Sequence, residues 1–321
     1  MFRDLTSLPR AVRGVRWDGL ALGAGGPARP ALRWETAEGR RLVLRQGGRT
    51  VLLARQRVTH RGVHYARTGG YVSPLPPLRV ATARAVRAAA GDGADAWAAR
   101  WAHRFSAALR ASPGGPLHEG DWRLLPGMGP RAVDAYWTTL ARHDPDRCHL
   151  TWFGYGDPVA DQRDVLPLRA LAAPDVARVK AYRRQFREGV LPPVLLWAVS
   201  GLNAFVVLDG HDRLAAALAE GGRPEVLRLG RAPVDGPAAP GHAPVLRAYE
   251  ERAAHLERAR AAGDRLAPTR IAVAGRRLAA ELHALSDGFD LTRGWPLPGG
   301  APAWEVLARR HAPGWHPDVT R

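Results

Sequence analysis

Cysteine is nearly absent from this 321-residue chain. Cys148 stands alone, which excludes an internal disulfide and a thiolate metal cluster. Lysine is as scarce: Lys180 is the one lysine among 47 basic residues. Abundant alanine, glycine and proline accompany the arginines, a pattern of GC-rich coding that discounts the arginine count as a functional signal. No apolar run approaches the length of a membrane span, and the opening MFRDLTSLPRAVRG lacks the apolar core of a secretory signal. The expectation is a soluble, cytoplasmic protein with no membrane partner and room for two or three domains.

Acidic residues are outnumbered, leaving a formal charge of +17. The excess is uneven. Residues 1–75 hold 14 arginines against 4 acids, more than half of the total excess in a quarter of the chain. A polyanion partner and a solvated arginine-rich surface both account for it. Within that quarter, Ala31–Thr36, Arg41–Arg45 and Thr50–Gln56 alternate in polarity and are separated by glycine-containing turns, the pattern of successive hairpins. Arg41 and Arg45 fall on a candidate nucleic-acid face, opposite Leu42, Leu44, Val51 and Leu53.

Gly69–Pro77, with two glycines and three prolines, reads as a boundary. Arg79–Arg110 turns helical, with a break at Gly91-Asp92-Gly93. Trp97, Trp101, Phe105 and Leu109 recur every four residues, a packing face rather than a ligand box. Further on, Leu124-Leu125-Pro126-Gly127-Met128-Gly129-Pro130-Arg131 resembles the hairpin of a helix-hairpin-helix element. In that element the glycines let backbone N–H groups approach a nucleic-acid phosphate. The resemblance implies a short first helix at about 119–125, a second helix carrying Val133, Tyr136, Trp137 and Leu140, and nucleic-acid contacts at Gly127, Gly129 and Arg131. His143, Asp144, Asp146, Cys148 and His149 supply ligand types, but their close spacing around Pro145 matches no zinc pattern and reads as a loop.

The stretch VVLDGHDRLAAALAEG, Val206–Gly221, carries the most chemistry. An apolar strand ends at Asp209-Gly210, and a small-residue helix opens with His211, Asp212 and Arg213 in its first turn. A helix N-terminus presents unpaired N–H groups and a partial positive charge, suited to phosphate. The plainer reading is a strand-to-helix turn with a capping aspartate. Upstream stand Pro167-Leu168-Arg169, an amphipathic segment at about 174–188, and the strand-like Leu191-Pro192-Pro193-Val194-Leu195-Leu196-Trp197. Val226–Leu229 follows as another strand.

Together these segments, about 150–230, resemble the ParB/sulfiredoxin-like superfamily, whose strand-to-helix loop carries a D-G-H-x-R type motif. The resemblance implies a bound nucleoside di- or triphosphate, with Mg²⁺, cradled by Gly210, His211, Asp212 and Arg213. It also implies phosphotransfer or nucleotide hydrolysis. Arg213 would neutralise the transferred group, His211 would donate a hydrogen bond, and Asp209 would orient the metal or an acceptor hydroxyl. The sequence departs from each branch. The partition proteins carry G-E-R-R where Gly210-His211-Asp212-Arg213 stands, sulfiredoxin places its cysteine directly before the His-Arg of the loop, and the serine-kinase branch has D-G-x-H-R. For the upstream acid of that last branch, Asp157, Asp161 and Asp164 are nearby candidates.

The resulting expectation is an α+β protein in four segments: a basic antiparallel β-unit (1–75), a helical segment with the hairpin (76–147), the ParB/sulfiredoxin-like mixed α/β domain (148–230), and a linker, helical pair and irregular tail (231–321). The helical pair rests on Leu246, Tyr249, Ala253 and Leu256, then Ile271, Leu278, Leu282 and Leu285. The alternative from another class is a non-catalytic nucleic-acid-binding protein, or a Mg²⁺-dependent nuclease, using the basic unit and the hairpin at 126–130.

Overall fold

The computed structural model describes residues 2–7, 16–57, 62–91, 93–128, 134–151, 165–233, 242–275, 289 and 291–315. The chain is α+β, with helices around two mixed sheets. The first sheet has seven strands, in the order β1 (Phe2–Ser7), β2 (Arg16–Ala24), β7 (Gly120–Pro126), β12 (Val226–Arg231), β10 (Val194–Val199), β11 (Ala204–Asp209) and β9 (Val165–Pro167). The second has six: β13 (Gly294–Pro296), β3 (Leu32–Ala37), β4 (Arg41–Gln46), β5 (Arg49–Arg57), β6 (Gly62–Arg67) and β8 (Arg147–Thr151). The segment 1–75 therefore contributes to both sheets, and its three alternating runs are the hairpin strands β3, β4 and β5.

Strands β10 and β11 read as near-continuous apolar runs because both of their faces are covered. Leu195, Trp197 and Val199 enter a core shared with the second sheet, where Trp197 lies 6.5 Å from Trp34. Val194 and Leu196 enter the opposite core with Trp137 and Leu140 of α3 (Asp134–Arg142) and Leu214 of α5 (His211–Ala219). Helices α1 (Val80–Ala90) and α2 (Ala94–Ala111) flank the shared core. The four-residue stripe of α2 is fully buried as the spacing predicts, with Trp97 edge-on to Trp101 at 5.6 Å and Phe105 tilted against Trp101 at 5.4 Å.

Two sequence expectations are corrected. The arm at 119–125 is a strand, β7, and not the first helix of a helix-hairpin-helix. Trp122 and Leu124 are buried and alternate with Arg123 and Leu125, and both edges of β7 are paired, to β2 and β12. A period of two on a doubly paired strand overrides the local L-P-G-M-G signature. The tail is not irregular throughout. β13 pairs in parallel with β3, and α8 (Gly300–His311) lays Trp304 against Val43, Leu53 and Ala66 of the second sheet. α4 (Ala177–Arg187) packs on α5. α6 (His242–Ala261) and the described part of α7 (267–275) lie in the segment read as a helical pair.

Candidate functional site

Strands β9 and β11 are parallel, with Val207 opposite Pro167. Both therefore leave the sheet at the same end, the end where α/β proteins place ligands. The Leu168-Arg169 segment and the Asp209-Gly210 turn meet there. Gly210 has φ 96° and ψ 27°, and a Cβ at this position would stand 2.7 Å from the Arg213 guanidinium. Only glycine fits both the left-handed backbone and the packed guanidinium.

α5 begins at His211 with no side-chain cap on its N-terminus. Asp209 is thus not a capping residue. Its Oδ1 accepts a hydrogen bond from Ser73 Oγ at 2.6 Å, and its Oδ2 accepts from Arg213 Nη2. Arg213 also donates to the Pro193 carbonyl at 2.7 Å, lies 5.6 Å from the Phe105 ring, and is 2% exposed. It supports the turn from beneath. The cations at the surface are different ones. Arg169 Nη2 stands 3.0 Å from one oxygen of Asp212 and Arg178 Nε 3.3 Å from the other, and the two guanidinium side chains are 45% and 55% exposed.

His211 Nε2 accepts from the Leu168 N–H at 3.1 Å, which places the proton of the neutral ring on Nδ1. Burial, then the guanidinium charges of Arg169, Arg67 and Arg213, hold its pKa well below the ordinary histidine value. Tyr71, whose ring is 5.6 Å away, donates its hydroxyl to the Leu208 carbonyl. Burial, then the negative charge of Asp209, raises its pKa well above that of a free tyrosine. At neutral pH both groups are uncharged.

The histidine has a consequence for stability. Below the ordinary histidine pKa the unfolded chain takes up a proton that the folded chain refuses. The contribution of His211 is complete above that value and is lost as pH falls, by up to about 1.4 kcal/mol per pH unit. Melting curves of the wild type and His211→Gln between pH 8 and 5 are expected to show the wild-type advantage shrinking on acidification. A constant gap across that range would mean that His211 titrates alike in both states.

These groups line a cavity of about 390 Å³, within the roughly 300–1,000 Å³ usual for small-molecule sites. Tyr71, Ser73, Arg169, Arg178 and the Asp209–Arg213 turn form its polar side, and Leu75–Leu78 an apolar wall. Three guanidinium groups surround two carboxylates, so the charge favours an anion. Both oxygens of Asp209 already accept hydrogen bonds and both of Asp212 are ion-paired. A bare Mg²⁺ ion at Asp209 does not fit these neighbours. Among the described residues no group of three or more His, Cys, Asp or Glu side chains has the arrangement of a metal site.

The other candidates among the described residues do not line this cavity. Arg41 is bound to Glu305 at 2.7 Å and stands 5.6 Å from the Trp304 ring. Arg45 donates to Thr50 Oγ1 at 2.7 Å and to the Gly48 carbonyl. Gly127 closes the end of β7, and its carbonyl accepts from Arg228 Nε at 2.6 Å. Gly129 and Arg131, like Asp157, Asp161 and Asp164, lie outside the described residues. Asp144 and Asp146 are ion partners of Arg67, both at 3.0 Å. Sequence reasoning missed Tyr71, Ser73, Arg178 and Tyr182 as cavity residues. Arg169 stood within the Pro167-Leu168-Arg169 segment without a role.

Comparison of the chain with family models, with curated proteins and with solved structures finds no match.

Proposed function

We propose that the cavity at the start of α5 binds the phosphate groups of a nucleotide and that its chemistry is phosphoryl transfer or hydrolysis. One observation carries this reading. Arg169 and Arg178, from separate elements and each about half exposed, converge at the uncapped N-terminus of a helix whose first turn lines the cavity. Two exposed guanidinium groups and a helix N-terminus are complementary to a phosphate. The resemblance of 150–230 to nucleotide-binding ParB/sulfiredoxin-like proteins supports the same choice. Arg213 serves here as a positioning residue beneath the turn, while Arg169 and Arg178 meet the ligand.

Asp212 stands where an incoming phosphate would be received and competes with it for both guanidinium groups. Arg41, Arg45 and Gly127, which carried the nucleic-acid reading, are held in contacts of their own, and Gly129 and Arg131 lie outside the described residues.

Isothermal titration with ATP, ADP, GTP and CTP tests the proposal. Arg169→Ala and Arg178→Ala are each expected to weaken binding by about 1.5–3 kcal/mol, the size of a charged hydrogen bond. Asp212→Asn is expected to tighten it roughly tenfold, equivalent to about 1.4 kcal/mol. Absence of heat with all four nucleotides would remove the proposal. A tightening on loss of either arginine would do the same.

A further inference from the structure

Asp209 orients a hydroxyl that belongs to the chain itself. Ser73 Oγ lies 2.6 Å from Asp209 Oδ1 and donates to it, and the hydroxyl also accepts from the Leu75 N–H at 3.1 Å. Ser73 is half-buried, lines the same cavity as Arg169 and Arg178, and sits on a chain segment 136 residues from Asp209. The far oxygen of Asp209 is fixed by Arg213, which is anchored in turn on Pro193. The arrangement is therefore a nucleophile, an oriented carboxylate and two exposed cations in one cavity. The Ser73 hydroxyl shares this cavity with the cations that would meet a phosphate.

We propose that Ser73 is the acceptor of the phosphoryl group, so that the protein phosphorylates itself at this residue from a nucleoside triphosphate. In the step, Ser73 Oγ forms a bond to the γ-phosphorus as the bond from that phosphorus to the β,γ-bridging oxygen breaks. The electron pair leaves with the nucleoside diphosphate, and the Ser73 proton passes to Asp209 Oδ1 and then to solvent. Arg169 and Arg178 balance the charge on the transferred group. Such a transfer asks chiefly for alignment and charge neutralisation, and the carboxylate takes the hydroxyl proton as the bond forms. This inference rests on the nucleotide reading above and adds the identity of the acceptor.

The test uses the full chain incubated separately with ATP, GTP and CTP in Mg²⁺-containing buffer. Intact mass is followed by fragmentation of the tryptic peptide 68–79, which holds Thr68, Tyr71 and Ser73 between two arginine cleavage points. The expected result is the mass of one phosphoryl group on Ser73 with at least one nucleotide. Asp209→Asn is expected to slow the labelling by roughly a hundredfold or more. Binding is measured in parallel by titration with the β,γ-imido analogue of each triphosphate. Analogue binding without label, or label on Thr68 or Tyr71 alone, overturns the acceptor assignment and leaves the nucleotide reading standing. Absence of both binding and label overturns both. The mapping is done on the wild type, so it does not depend on a variant folding.

Discussion

Arg67→Met is expected to destabilise the protein by about 3–5 kcal/mol, the penalty for removing one partner of a buried ion pair. The side chain is 1% exposed, and Asp144 beside it is 9% exposed. Arg67 Nη1 reaches both Asp144 oxygens at 3.0 Å and the Pro167 carbonyl at 3.2 Å, while Nη2 reaches the Asp144 carbonyl at 3.0 Å. Nε adds Asp146 at 3.1 Å. One guanidinium thus ties the end of β6, in the second sheet, to the end of β9, in the first. Methionine keeps most of the packing volume but removes the Arg67 charge from beside the Asp144 carboxylate. Asp144 also accepts from the Leu171 N–H, so the chain just after Arg169 is expected to loosen with it. Urea denaturation of Arg67→Met and of Arg67→Met/Asp144→Asn separates charge from packing. The double variant is expected to recover at least half of the loss, because the carboxylate charge that Arg67 balanced is gone. A single variant within about 0.5 kcal/mol of wild type, the usual range for surface changes, would show that Arg67 does not hold the sheets together.

The parts of this fold that were legible are those encoded by neighbours in sequence. The α2 stripe, Trp97 to Leu109, recurs at one helical spacing and is buried as a unit. The alternation in β3, β4 and β5 and the glycine turns between them specify hairpins without help from elsewhere. Where two local signals competed, the wrong one was louder. Leu124-Leu125-Pro126-Gly127-Met128-Gly129 matched a hairpin motif, while Trp122-Arg123-Leu124 carried a short two-residue alternation. Pairing of β7 on both edges decided for the strand, and that pairing is nonlocal. The short β13 was illegible for a related reason. Three residues among prolines have no strand period, and their partners come from the distant β3.

The candidate site divides in the same way. Asp209, Gly210, His211, Asp212 and Arg213 are contiguous, and their crowding into the first turn of a helix was readable. The Asp209–Arg213 pair even has the i,i+4 spacing of helical ion pairs. Which way each side chain faces was not readable, because that is set by distant residues. Arg213 turns inward because Pro193 and Phe105 offer a carbonyl and a ring. Ser73 and Tyr71 arrive from a segment that reads only as a proline-rich boundary. Arg178 and Tyr182 lie one turn apart on an amphipathic helix, where solvated arginines are the ordinary expectation.

Arg213→Met is the substitution that bears most on the site, with an expected loss of about 3 kcal/mol, toward the low end of the range for a buried pair. The low end applies because Asp209 is 15% exposed and keeps the Ser73 hydroxyl as a donor. Loss of the guanidinium also takes the donor from the Pro193 carbonyl and the packing from beneath Gly210, whose left-handed backbone still requires glycine. Nucleotide binding is expected to fall with stability, although Arg213 at 2% exposure does not meet the ligand. The pair Arg213→Met/Asp209→Asn tells the two roles apart. With no stranded carboxylate, the double variant is expected to regain most of the stability, and the affinity for the imido analogue should return with it. An affinity that stayed lost in a restabilised double variant would place the Arg213 guanidinium in contact with phosphate. The cavity would then have to open beneath Gly210, and the turn would be a moving part of the site rather than its fixed floor.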